Sequence, residues 1–223
     1  MSAEKKGILV VVSGFSGAGK GTIMKGLMAK YGDNYSLSVS ATTRQPRPGE
    51  IHGVHYFFVS NDEFESMIDH NELIEHAGYV NHYYGTPRNY VEEQLAAGKN
   101  VILEIEMQGG FQVKEKYPDT IMMFVSAPSA EEQRNRLIGR GTESPDMIHA
   151  RLQRAYEESL RMNEYDYLVI NDDLTNCIDC VNYMLLNEQY GKQELNVKHR
   201  MSSNIEFINK MKTELFEFSK GEQ

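Results

Sequence analysis

The stretch Gly14-Phe15-Ser16-Gly17-Ala18-Gly19-Lys20-Gly21-Thr22 holds the first residues whose types and spacing can do chemistry. Glycines let successive backbone N–H groups turn inward around phosphate oxygens. A helix opening at Lys20 adds the partial positive charge of its N-terminus. Lys20 would reach the β- and γ-phosphates, so a nucleoside triphosphate is the expected ligand. The strict form of this loop has Ser or Thr directly after the lysine. Here Gly21 intervenes and Thr22 follows, which leaves open the hydroxyl that meets Mg2+, with Thr22 the nearest.

A second chemical stretch is Ser40-Ala41-Thr42-Thr43-Arg44-Gln45-Pro46-Arg47-Pro48-Gly49-Glu50. Arg44 and Arg47 sit in a proline-stiffened loop just past a strand end. Two guanidinium forks suit a phosphate dianion, and Tyr56 and Tyr84 offer further hydroxyl donors. On residue chemistry alone, solvated surface arginines are an equal reading. Glu104 and Glu106 close a strand-like run, where the carboxyl end of a parallel strand faces a ligand crevice.

These residues need a scaffold, and the periodicity supplies one. Short β-branched runs at 7–13, 37–40, 100–106, 120–126 and 166–171 read as strands. Segments 20–31, 88–97, 109–117, 130–140, 145–163 and 174–190 have helical spacing. Strands alternating with helices imply βαβ units and a parallel sheet. Residues 42–86 break the rhythm with Pro46, Pro48, Gly49 and Gly53, aromatic-rich pieces and a helix near 62–71. That stretch reads as a small mixed or antiparallel insert. In the tail, Ser203-Asn204-Ile205-Glu206 fits a capping box. Ile205, Ile208, Met211, Leu215 and Phe218 then recur at helical spacing, as in a terminal helix packed on the core. A dimer contact is the sharper alternative.

Composition sets limits. The 223 residues suffice for a core without disulfides. A formal net charge of −9 argues against gripping a nucleic acid by its phosphates. The longest apolar runs are far shorter than the roughly 20 residues of a membrane span. Two cysteines exclude a disulfide-dense scaffold. Cys177 and Cys180 fall at i and i+3 in a helical stretch and read as ordinary helix cysteines, since zinc would need a second ligand pair. The expected setting is the cytoplasm, with no membrane.

The chain resembles guanylate kinase, a nucleoside monophosphate kinase family. The phosphate loop, the 40–50 stretch, His55-Tyr56-Phe57-Phe58, Leu73-Ile74-Glu75-His76-Ala77, Tyr83-Tyr84-Gly85-Thr86 and Leu103-Glu104-Ile105-Glu106-Met107-Gln108-Gly109 stand in that family's order and spacing. Arg140-Gly141-Thr142 and Val169-Ile170-Asn171-Asp172-Asp173 follow in register, so the likeness covers about residues 7–190. Phe15 departs from the usual proline, and Thr86 stands where serine is common.

The resemblance implies a P-loop α/β core with a parallel sheet at 1–41 and 87–190. It implies a GMP-binding insert at 42–86, a helical lid at about 136–151, and an extension at 191–223 outside the likeness. It implies ATP at Gly14, Ser16, Gly17, Ala18, Gly19, Lys20, Gly21, Thr22 and Asn171. GMP would meet Ser40, Arg44, Arg47, Tyr56, Glu75, Tyr84, Thr86 and Glu104. Lys20, Arg44, Arg136, Arg140 and Arg151 would be catalytic, with Mg2+ carried mainly by ATP and water. A carboxylate at Glu75 can accept from guanine N1–H and N2–H2; adenine lacks that N1–H. The acceptor phosphate has a second pKa of about 6, so no protein base is required. Three rivals remain: another monophosphate kinase, a non-catalytic binding module of the same fold, and a regulatory GTPase. The intact lysine and glycines disfavour the module. Asn209-Lys210-Met211-Lys212 lacks the aspartate of a GTPase guanine motif.

Overall fold

The computed structural model describes residues 6–79, 81–139, 141 and 144–220. The elements up to the middle of the chain are β1 (Leu9–Gly14), α1 (Lys20–Tyr31), β2 (Tyr35–Leu37), β3 (Ala41–Thr42), β4 (Phe57–Phe58), α2 (Asn61–Asp69), β5 (Leu73–Tyr79), β6 (His82–Pro87), α3 (Arg88–Ala96) and β7 (Asn100–Glu104). They are followed by α4 (Met107–Lys116), β8 (Ile121–Ser126), α5 (Ala130–Gly139), α6 (Pro145–Ser159), β9 (Tyr167–Ile170), α7 (Leu174–Gln189) and α8 (Ile205–Ser219). Two compact units divide the chain, Met1–Val11 with Gly32–Ile121 and Val12–Tyr31 with Met122–Gln223.

The main sheet is five-stranded and parallel, in the order β2-β7-β1-β8-β9. Its strands are apolar on both faces, as strands covered by helices must be. Val10, Val11 and Val12 are buried in succession, as are Val101, Ile102 and Leu103, and Met122 to Val125. The dividing line falls within β1 and β8. In the first unit β2 pairs with β7, Tyr35 opposite Asn100 and Leu37 opposite Ile102. In the second, β8 pairs with β9, Met123 opposite Tyr167 and Ser126 opposite Ile170. The strand expected at 37–40 therefore lies earlier. Tyr35 is fully buried and takes the ladder position; beyond Leu37 the Ser38 N–H still bonds back, to the Ile102 carbonyl at 2.9 Å.

The first unit holds a second sheet in the order β4-β3-β6-β5. It is mixed: β3 runs parallel to β4 and antiparallel to β6, and β5 is antiparallel to β6. It has its own small core, in which Ala41, Phe64 and Leu73 pack with Phe57, Val59, Met67 and Ile68. Helix α2 is held at its start by a full capping box. The Ser60 hydroxyl accepts from the Glu63 N–H and the Glu63 carboxylate accepts from the Ser60 N–H at 2.7 Å.

The capping box expected at Ser203 to Glu206 does not form. Asn204 is the cap residue of α8 and makes no side-chain cap bond. Its amide instead donates backward to the Lys198 and Arg200 carbonyls at 3.0 and 2.8 Å. Of the expected apolar stripe, Ile208, Met211 and Leu215 are buried, Phe218 is half-buried and Ile205 is exposed.

Candidate active site

The second unit carries the phosphate loop between β1 and α1. Gly14 has φ +150, and a Cβ there would stand 2.1 Å from the Val125 carbonyl oxygen. Gly19 has φ +95 and would drive a Cβ to 2.4 Å from Asn171 Nδ2. Both positions therefore demand glycine. Phe15 between them is an anchor. Its N–H bonds the Val125 carbonyl at 3.2 Å, and its fully buried ring stands edge-on to Phe124, 4.9 Å between centroids. The Lys20 ammonium donates to the Gly14 and Phe15 carbonyls at 2.5 and 3.2 Å, which holds it over the loop. Thr22 is exposed in the first turn of α1.

Three side chains from elsewhere in this unit grip the loop. Asn171, just past β9, donates Nδ2 to the Ala18 carbonyl at 2.8 Å. The resemblance places Asn171 among the ATP ligands; its amide N–H2 here braces the loop. Arg136 of α5 donates to the Asn171 carbonyl at 2.8 Å and to Ala18 O at 3.4 Å. Arg151 of α6 donates to the Ser16 hydroxyl at 2.5 Å. Arg136 and Arg151 thus stand on the loop from two helices. Arg140 lies outside the described residues. A fourth contact went unnoticed in the sequence. Gln133 of α5, fully buried, donates Nε2 to the Ser16 carbonyl. Only its place one turn before Arg136 hinted at it.

The first unit carries the other group. Glu75 is buried on β5, and Oε1 accepts from the Thr86 hydroxyl on β6 at 2.7 Å. The β5–β6 register slips between Leu73 and His76. Leu73, Ile74 and Glu75 are consequently buried in a row, where a regular strand would alternate. Burial pushes the Glu75 carboxyl above its ordinary range, against the Thr86 hydrogen bond and the Lys116 charge, which pull it down. Gly109 on α4 makes the room: a Cβ there would meet Glu75 Oε2 at 2.6 Å.

A cation–aromatic cluster forms in the same unit. Arg44 lies over the Tyr56 ring at 5.4 Å and the Phe58 ring at 5.8 Å. The Tyr56 and Tyr84 rings are 6.0 Å apart, nearly perpendicular. Glu50, which the sequence reading left without a role, takes the Arg44 fork in two bonds of 2.9 Å. It also accepts the Arg47 N–H at 2.7 Å. The Arg44 fork, then the Arg47 N–H, hold the Glu50 carboxyl down to about 2. Arg47 itself is exposed, Ser40 is half-buried just before β3, and Glu104 is exposed at the end of β7. Glu106 instead starts α4 as its cap residue.

The chain matches the family model described as guanylate kinase over residues 6–188. It is 46% identical over 192 residues to the guanylate kinase of Oceanobacillus iheyensis, covering 86% of this chain and 93% of that one. The guanylate kinase of Clostridioides difficile is 52% identical over 170 residues, 76% of this chain and 82% of that one. Among solved structures, the guanylate kinase of Anaplasma phagocytophilum superposes with a TM-score of 0.67 at 32% identity, over 83% of this chain and 87% of that one.

Proposed function

The chain belongs to the guanylate kinase family, and on that premise we propose how its own residues divide the work. The reaction is transfer of the γ-phosphoryl group of ATP to GMP, giving ADP and GDP. The proposal assigns ATP to the second unit and GMP to the first, with residues 42–86 as the acceptor insert and 136–151 as the lid.

The observation that carries the assignment of base is Glu75. A buried carboxylate with one oxygen satisfied by Thr86 has its other oxygen's lone pairs to offer a donor pair. Guanine brings N1–H and N2–H2 together on one edge. Adenine would leave the carboxylate unpaired, and unpaired buried polar groups are costly enough to reject a wrong ligand strongly. Ser40 would complete the base contacts, and Glu104 would serve the base or ribose. Arg44, Arg47, Tyr56 and Tyr84 would take the acceptor phosphate.

On the other side, Gly14 through Thr22 wrap the triphosphate with backbone N–H groups. Lys20 exchanges its carbonyl partners for phosphate oxygens. Arg136 and Arg151 already touch this loop and neutralise charge developing on the transferred group. Thr22 presents a hard oxygen in the first turn of α1, which fits one protein ligand to Mg2+ beside phosphate and water. The ion would neutralise phosphate charge when bound. The acceptor is a phosphate already ionised near pH 7, so positioning and charge supply the rate and no residue acts as base.

Calorimetric titration with GMP tests the residue roles. Glu75→Gln and Arg44→Ala are expected to weaken GMP binding, each leaving ATP binding in place. Unchanged GMP binding in both would overturn the assignment.

A further inference from the structure

Helix α8 lies beyond the residues matched by the family model, 6–188, yet it is built into the part of the molecule that grips the phosphate loop. Ile208, Met211 and Leu215 of α8 are fully buried, and α8 packs on α6. There Leu152 and Ala155 are buried too. Phe216 lies against Tyr156 of α6, ring centroids 5.2 Å apart. Toward α5, the Arg134 guanidinium sits over Phe218 at 5.7 Å. The Glu214 carboxylate accepts from the N–H of Ala130 at 3.3 Å. Ala130 is the first residue of α5, so Glu214 supplies both a hydrogen bond and a negative charge where the helix dipole favours one.

The two helices that α8 clasps are the two that reach Ser16. Gln133 on α5 donates to the Ser16 carbonyl, and Arg151 on α6 donates to its hydroxyl at 2.5 Å. The α5 contact is close-packed: a Cβ at Gly17 would stand 3.1 Å from both Gln133 and Leu137. We propose that α8, through Glu214 and its buried stripe, is a positioning element for the phosphate loop. It sets the angle between α5 and α6, and these fix Ser16 from two sides. The proposal rests on reading the loop as the ATP site. It predicts that the tail tunes ATP use in particular, because the GMP residues belong to the other unit.

Steady-state kinetics on full-length variants test this, with KM for ATP and for GMP each measured at saturating co-substrate. A Glu214→Ala/Leu215→Ala double variant should show KM for ATP raised about three- to tenfold, with KM for GMP within about twofold. Glu214→Gln keeps an acceptor for the Ala130 N–H and should stay within about twofold of the parent. A folded, cooperatively melting double variant with unchanged KM for ATP overturns the proposal, as does an equal rise in both KM values. Should the double variant not fold, Glu214→Ala alone decides, with a rise in KM for ATP expected and none contradicting. Lys20→Ala separates the two levels. If it leaves ATP binding intact, the loop assignment fails; if it abolishes binding while the Glu214 variants are silent, only the role of α8 fails.

Discussion

Thr86 Oγ1 donates to Glu75 Oε1 across 2.7 Å, between two buried side chains on adjacent strands. The hydroxyl holds the buried carboxylate in place between the two strands. The geometry comes from a slip in strand register and from the bare α-carbon of Gly109.

Glu75→Gln should separate function from stability. Its kcat/KM for GMP should fall about 10^2-fold or more, because the amide turns an N–H2 donor group toward an edge where guanine also donates. The carboxyl's pKa is raised by burial, so the folded chain holds its proton more tightly than the unfolded chain. Stability is therefore lost as pH rises from the ordinary carboxylate range through the raised value. The melting temperature of Glu75→Gln should exceed the parent's by more at alkaline pH than in the ordinary carboxylate range. A constant difference between the two would contradict the assigned burial.

Gly109→Ala should raise KM for GMP while leaving KM for ATP alone. The added methyl would stand 2.6 Å from Glu75 Oε2, so the carboxylate must shift. Displacements of this kind in a binding constellation cost about tenfold or more. Kinetics with each substrate varied in turn checks it, and equal effects on both would refute the local explanation.

Glu50→Gln should loosen Arg44 and raise KM for GMP about five- to tenfold, with kcat little changed. The parent carboxyl is held to about 2, so this group's contribution to stability is complete above the ordinary carboxylate pKa and is lost as pH falls toward about 2. Between pH 5 and 8 the ratio of parent to variant KM should be flat. A titration in that window would show that Glu50 is not the ionised partner of Arg44.

Much of this was legible in the residues. The phosphate loop stood out because only glycine tolerates its turns. The parallel sheet was readable from unbroken apolar strands such as Val10 to Val12. What stayed hidden depended on contacts between segments distant in sequence. Gln133 reaches Ser16 from 117 residues away, and only its place one turn before Arg136 marks it. Glu50 sits in a loop whose polarity looks like solvation until the Arg44 fork closes on it. The expected cap at Ser203 failed because Ser203 is held in a short turn, its N–H bonded to the Arg200 carbonyl, and the helix starts one residue later with Asn204 as its cap. The roles of Arg44 and Arg47 were undecided by chemistry and rested on resemblance.

Lys20→Ala should abolish transfer and keep the fold. The ammonium donates to the Gly14 and Phe15 carbonyls of the loop, bonds that water can replace, and turnover should drop about 10^3-fold or more. Near-normal turnover would remove the loop from the active site.

The most direct test of the central claim is ADP release from MgATP with GMP, AMP, CMP, UMP and dTMP offered separately to the purified chain. The account predicts fast release with GMP and background release with the other four. Comparable release with AMP would contradict the role given to Glu75. No release with any of them, from folded protein that binds GMP, would contradict phosphoryl transfer itself.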